Sequence, residues 1–208
     1  MFSALRLHDV PTSRLNTFTI SRFKFLQALK TQGLTRGIPN ISQSTAQMIH
    51  FFVTMKKARS VLEIGSANGY STIWLGDAVE AVNGKVLSLE IGEHSYKEAL
   101  ANIAEAGLSA TIELQLCDAL EFLKDHKTQY DVIFLDARKG YYHLFWELIK
   151  PRMHSETLVI VDDVIKFKSK TQAFDDAIKK ETDFDFCVIP VDGDDGVMLI
   201  MPKAIRGS

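Results

Sequence analysis

Cysteine is scarce in this chain: Cys117 and Cys187 are the two among 208 residues. A pair in strand-like surroundings is no disulfide framework, so free, reduced thiols and a cytoplasmic setting are expected. No apolar run approaches the ~18 residues that a membrane span needs, which argues against a membrane partner. Residues 1–14 lack the apolar stretch of a secretory signal. Charge of one sign is also missing. With 24 basic and 26 acidic residues the net charge is −2, giving no global pull toward nucleic acid or anionic lipid. Neither G-x-G-x-x-G nor G-K-[ST] occurs, and no Tyr-x-x-x-Lys pair is present, which disfavours a dinucleotide-linked reductase and a phosphate-loop NTPase.

What is present begins at residue 60. Ser60–Ile64 reads as a short buried strand that ends in Gly65-x-x-x-Gly69, and an amphipathic segment with Ile73, Trp74 and Leu75 follows. Strand, glycine turn and helix in that order build a nucleotide-type cofactor site. Glycine lets backbone approach a ligand, and a helix start offers free N–H groups.

Strand and helix signals then alternate. Branched-aliphatic runs at 61–64, 86–90, 111–116, 132–135 and 158–161 are separated by helical patterns at 71–82, 94–106, 119–125 and 142–149, with one more at 170–181. Such alternation predicts right-handed βαβ units and a parallel sheet covered on both faces. Runs at 186–190 and 197–201 flank Val191-Asp-Gly-Asp-Asp-Gly196, a hairpin turn. The expected fold is α/β and Rossmann-like, a mostly parallel seven-stranded sheet with an antiparallel C-terminal hairpin strand and N-terminal helices.

Residues 1–59 supply those helices, at 20–31 and 42–57, with Ser42 as N-cap and Gly33, Gly37 and Pro39 as breakers. They are read as shaping the substrate mouth within the same domain. Residues 60–203 form the cofactor-binding core. Residues 204–208 are a tail whose Arg-Gly-Ser ending reads as a vector-encoded remnant.

Ligands of open α/β sheets bind beyond the carboxyl ends of the strands. Five predicted strand ends offer acids there: Glu63, Glu90, Asp118, Asp136 and the pair Asp162-Asp163. Glu90 is placed to accept from ribose hydroxyls, and Asp118, beside Ala119, to meet an adenine amino group. Asp136, Asp162 and Asp163 can present three carboxylate oxygens to one divalent cation, which suits Mg²⁺, with Mn²⁺ or Ca²⁺ as alternatives. Taken alone, the doublet is more often a turn and helix cap. Lys139 sits three residues past Asp136; the bland reading is a solvated lysine, the chemical one a base whose proton a nearby cation disfavours. His143 and His154 lack ligand partners at useful spacing. The aromatic residues Tyr141, Tyr142, Phe145 and Trp146 read as one packing helix, with Tyr142 within reach of the mouth, and Phe23, Phe25, Phe51 and Phe52 as packing of the N-terminal helices.

Three stretches together, Val61 to Ser71, Asp131 to Lys139 and Val159 to Val164, resemble the cation-dependent O-methyltransferases of the catechol and caffeoyl-CoA type. The resemblance runs from about Pro39 to Pro202. It implies S-adenosylmethionine (SAM) as methyl donor and Mg²⁺ held by Asp136, Asp162 and Asp163. It also implies Lys139 as base beside the catalytic Asp136, and Glu90 on the ribose. Glu63, Gly65 and Ser71 would meet the methionine portion, Ser66, Gly69, Asp118, Ala119 and Asp136 would also bind the cofactor, and Asn40 and Ile41 would border cofactor and substrate. Homodimers are usual in that family. One departure is plain: the second pair is commonly Asp-Asn there and is Asp162-Asp163 here, which raises the negative charge around a metal. The resemblance implies transfer of a methyl group to a metal-chelated hydroxyl of a small catechol-like or vicinal-oxygen acceptor. Gly37-Ile-Pro39 and Asp136-Ala-x-Lys-Gly140 are similar to a bacterial branch that includes a tRNA hydroxyuridine methyltransferase, so tRNA is a second acceptor reading, with Lys56, Lys57, Arg59, Lys166, Lys168 and Lys170 as phosphate contacts. A third reading outside catalysis is a SAM-binding protein with a degraded metal site.

Overall fold

The computed structural model describes residues 20–203. The expectations for residues 1–14 and for the tail at 204–208 lie outside the described residues. Two N-terminal helices, α1 (Ile20–Arg36) and α2 (Gln43–Lys56), precede the alternating core. The core runs β1 (Ser60–Ile64), α3 (Tyr70–Glu80), β2 (Lys85–Glu90), α4 (Glu93–Glu105), β3 (Ile112–Leu116), α5 (Ala119–Asp125), β4 (Tyr130–Leu135), α6 (Tyr142–Ile149), β5 (Met153–Val161), α7 (Lys168–Ile178), β6 (Phe184–Asp192) and β7 (Asp195–Pro202). The strands form one sheet in the order β3-β2-β1-β4-β5-β7-β6. The first five are parallel, and β7 runs antiparallel to both β5 and β6.

Each face of this sheet buries its own cluster. One holds Val61, Val132, Phe134, Ile73 and Trp74 under α1–α4, and the other holds Leu62, Ile133, Leu135, Trp146 and Phe174 under α5–α7. Adjacent residues of β1 and β4 thus face opposite clusters, as the period-2 geometry of strands requires. Burial on both faces explains why these strands are unbroken apolar runs. No helix among the described residues is long and apolar enough to cross a membrane.

Several expected boundaries shift. The first helix does not stop at Gly33 but continues to Arg36, with the αL turn falling at Gly37. Gly33 is buried and serves packing: a Cβ there would overlap Asn40 Nδ2. β5 starts at Met153 rather than at Leu158, and the last helix spans Lys168–Ile178. Tyr141 belongs to a 3₁₀ turn, while Tyr142 opens α6 fully buried. Its hydroxyl donates to the Asp162 carbonyl (3.2 Å), so it does not reach the mouth.

Candidate active site

Strand order reverses between β1 and β4, and the two cavities of the site lie beyond the carboxyl ends there. The rim residues are pinned because the ladder runs on past the strands. Gly65 N–H donates to Leu89 O, Asp136 N–H to Ile64 O, and Asp162 N–H to Leu135 O, at 2.9–3.0 Å. Gly65 has φ +99°, and a side chain there would collide with the Asp136 carbonyl. The turn must therefore be glycine for two reasons, conformation and contact.

The first cavity, about 430 Å³, is lined by the Gly65–Ala67 turn, Ser71, Glu90, Asp118, Ala119 and Asp136, among others. Glu90 is a fixed acceptor: its two oxygens take N–H bonds from Ala67 (2.9 Å) and Gly92 (2.7 Å). Asp118 caps α5, accepting from Leu120 N–H at 2.8 Å. Asn40 and Ile41 form part of the wall shared with the second cavity. Lys30 holds that wall, donating to the carbonyls of Asn40 (2.7 Å) and Ile41 (2.6 Å).

Two expected cofactor residues are not on the wall. Glu63 is completely buried beneath it, accepting from Ser71 (2.6 Å), Thr72 (2.5 Å) and Ser88 (2.5 Å). Those hydroxyls draw its pKa down, yet burial outweighs them and leaves it at about 7, above the ordinary 4.5. Glu63 orients Ser71 from below. Gly69 caps α3 with φ +86° and packs on Ala99 of α4.

The second cavity, about 630 Å³, adjoins the first and is lined by Asp162, Asp163, Lys166, Phe167 and Lys170 among others. Where the two meet, oxygens of Asp136, Asp162 and Asp163 all lie within 4.8 Å of one another. The Lys139 ammonium bridges Asp136 and Asp163, at 2.6 Å from each. Burial works to lower its pKa, but the two carboxylates prevail and hold it above its ordinary value. Three carboxyls against one ammonium leave negative charge uncompensated. Burial and the charges of Asp136 and Asp163 push Asp162 up to about 8. Asp163 is raised to about 6, first by burial and then by a hydrogen bond with Asp195, and that bond in turn lowers Asp195 against its own burial. Crowded hard oxygen donors of this kind fit a divalent cation. Asp163 also sits at φ +62°, a left-handed conformation that Asp and Asn tolerate better than most residues.

Sequence reasoning overlooked Asp195, Arg138 and Phe167. Asp195 lies in a hairpin turn whose acid-rich composition is itself a signal; Arg138 has none beyond its place between Asp136 and Lys139. Lys56, Lys57 and Arg59 immediately precede β1 and so lie at the amino-end rim, opposite both cavities. His154 pairs with Asp131 (3.1 Å).

A cavity at the switch point, a glycine turn that admits no side chain and a carboxylate fixed at the end of the second strand define a Rossmann-like methyltransferase fold. The chain belongs to the O-methyltransferase family, whose model matches residues 21–201. Among its relatives, the catechol O-methyltransferase of Niastella koreensis is 30% identical over 136 residues, covering 62% of this chain and 61% of that protein. The caffeoyl-CoA O-methyltransferase of Medicago sativa is 32% identical over 112 residues, covering 51% and 45%. The matches thus span about half the length of the curated relatives. The O-methyltransferase of Bacillus cereus, solved with SAH, superposes with a TM-score of 0.79 at 24% identity, covering 86% of this chain and 91% of that one. At that identity the likeness concerns the fold.

Proposed function

We propose that this chain is a SAM-dependent O-methyltransferase acting on a small acceptor with vicinal oxygens, such as a catechol. The observation that carries the reading is the meeting of the three aspartates with Lys139 at the seam of two cavities. The first cavity would take SAM, with Glu90 accepting from the ribose hydroxyls and the Gly65 turn and Ser71 facing the methionine portion. SAM supplies a methyl group already activated on a sulfonium sulfur, so positioning supplies much of the acceleration.

Asp136, Asp162 and Asp163 would hold Mg²⁺. A divalent cation held there would supply the charge that lowers the pKa of a chelated hydroxyl, and would compete with Lys139 for Asp136 and Asp163. Lys139 is 15% exposed and lies 5.8 Å from the Tyr142 ring and 5.9 Å from that of Phe167. Without its carboxylate partners, an ammonium in this setting is disfavoured by desolvation, and the neutral Nζ takes the acceptor proton. A homodimer is part of the same reading, since Phe51 and Met55, one turn apart on α2, are 63% and 60% exposed.

The test is methyl transfer from SAM to catechol with Mg²⁺. Asp136→Ala and EDTA should each lower turnover by at least ~10²-fold, while calorimetry finds SAM affinity within a few-fold of wild type. Turnover that survives both would sink the metal reading.

A further inference from the structure

Five cations line the second cavity, and they are not equivalent. Lys139 is paired with Asp136 and Asp163, Lys30 is committed to the Asn40 and Ile41 carbonyls, and Lys166 faces Asp194 at 3.2 Å. Arg138 and Lys170 have no carboxylate partner among the described residues. Each instead lies against a ring: Arg138 is 5.4 Å from the Tyr141 centroid and Lys170 Nζ 5.0 Å from that of Phe167. A ring orients a cation without neutralising it. The wall thus carries two positioned, uncompensated positive charges, while the same cavity is acidic at Asp162 and Asp163.

That division sorts a ligand by charge. An anionic substituent is attracted to Arg138 and Lys170 at their end of the cavity, which leaves the acceptor oxygens toward the cation that the three aspartates would hold. We propose that the cavity takes acceptors bearing an anionic group, held by Arg138 and Lys170 while the vicinal oxygens face Asp136, Asp162 and Asp163. The inference rests on the proposed function for the orientation of the acceptor. Its natural ligand class is a small hydroxylated acid rather than a polyanion. Two free cations match one carboxylate or phosphate, whereas a nucleic-acid strand needs a longer basic track, and Lys56, Lys57 and Arg59 lie at the other rim.

The test compares matched ligands on full-length protein with Mg²⁺ and SAH by titration calorimetry, and with SAM by turnover. Catechol, 3,4-dihydroxybenzoate and dopamine vary charge on one scaffold; hydroxyuridine and its 5′-monophosphate supply the phosphate arm. The expected result is about tenfold tighter binding of the anionic member of a pair than of its neutral counterpart, with dopamine weakest. Preference in the benzoate arm identifies a carboxylate as the group, and preference in the monophosphate arm a phosphate. In Arg138→Ala combined with Lys170→Ala the ratio should fall to about one. Lys179→Ala, exposed at the far end of the same helix and off the cavity wall, should keep the wild-type ratio. No preference in the wild-type protein overturns the inference, as does a ratio that survives the double substitution. So does an effect of Arg138→Ala on SAH in place of the acceptor, which would assign the guanidinium to the cofactor, or a tRNA transcript that displaces SAH-bound complexes with a steep salt dependence. The two readings fail separately. An anion preference dependent on Arg138 with no methyl transfer to any acceptor retires the methyltransferase reading alone, and turnover blind to charge retires only this one.

Discussion

Glu63 shows how one residue can be read correctly as special and wrongly as to why. An acid inside an apolar strand signals a site, yet its carboxyl lies under the cavity floor, where Ser71, Thr72 and Ser88 converge on it. Its folded pKa of about 7 exceeds the ordinary 4.5. Between those values the folded protein keeps a proton that the unfolded chain has lost. The stability Glu63 contributes is therefore complete below pH 4.5 and is lost as pH rises through 7. Glu63→Gln removes this dependence. Relative to that variant, wild type should lose roughly 3 kcal/mol between pH 4.5 and pH 8. Urea unfolding of both proteins at the two pH values measures the difference, and other titrating groups cancel in it. An equal gap at both pH values would mean that Glu63 stays ionised in the fold. Asp163 is a second such case. The sequence marks the additional carboxylate at this position, but not the left-handed backbone or the hydrogen bond with Asp195.

At the level of elements, the parallel strands and their helices were legible because each has a strong local period, and the hairpin because its turn is rich in Asp and Gly. Boundaries failed where a long-range contact overrode a local rule. Gly33 is a helix breaker by propensity, at about 1 kcal/mol relative to Ala. Inside α1 it makes room for the Asn40 amide of the loop shared by both cavities. Gly65 is the opposite case: the sequence reads it as letting backbone approach a ligand, and the structure adds the nearness of the Asp136 carbonyl. Substituting each with Ala separates the two roles. Gly65→Ala puts a Cβ into the Asp136 carbonyl at a positive φ, so neither obstacle can yield cheaply. A loss of about 3 kcal/mol or more is expected, together with SAM binding. Gly33→Ala meets only the end of a flexible side chain, and the gain in helix propensity offsets the displacement of Asn40. Its stability should stay within about 1 kcal/mol while affinity for the cofactor falls several-fold. Chemical denaturation and calorimetry on both variants decide. If Gly33→Ala leaves cofactor affinity unchanged, the loop is not held from α1.

Across the whole molecule, the N-terminal helices are fastened to the core by a buried charge cluster that no local pattern announces. Asp77 of α3 receives Arg22 of α1 on one oxygen and His50 of α2 on the other, the latter at 3.0 Å. The same α1 reaches the cavity wall through Lys30, so cofactor-side geometry depends on residues more than 40 positions apart, as the Lys30 and Asp77 positions illustrate. This is why fold and acids were readable and the wall was not: strand ends are local, while a wall is built from helices whose docking is not. Ligation should accordingly stabilise the molecule as a unit. A ligand at 100 times its dissociation constant that binds only the folded state adds about 2.7 kcal/mol. For a chain of this size that raises the melting midpoint by roughly 5–10 °C. SAH alone should produce that shift, because the first cavity needs no metal to be whole. Mg²⁺ alone should stabilise as well, by relieving the repulsion among Asp136, Asp162 and Asp163 that the single Lys139 leaves in place. Asp162→Asn should remove the Mg²⁺ shift and preserve that of SAH, since Asp162 lines the second cavity and not the first. Scanning fluorimetry across the four combinations reads both effects. An Mg²⁺ shift undiminished in Asp162→Asn would move the ion elsewhere, and the absence of any shift with SAH would leave the glycine turn without a cofactor to cradle.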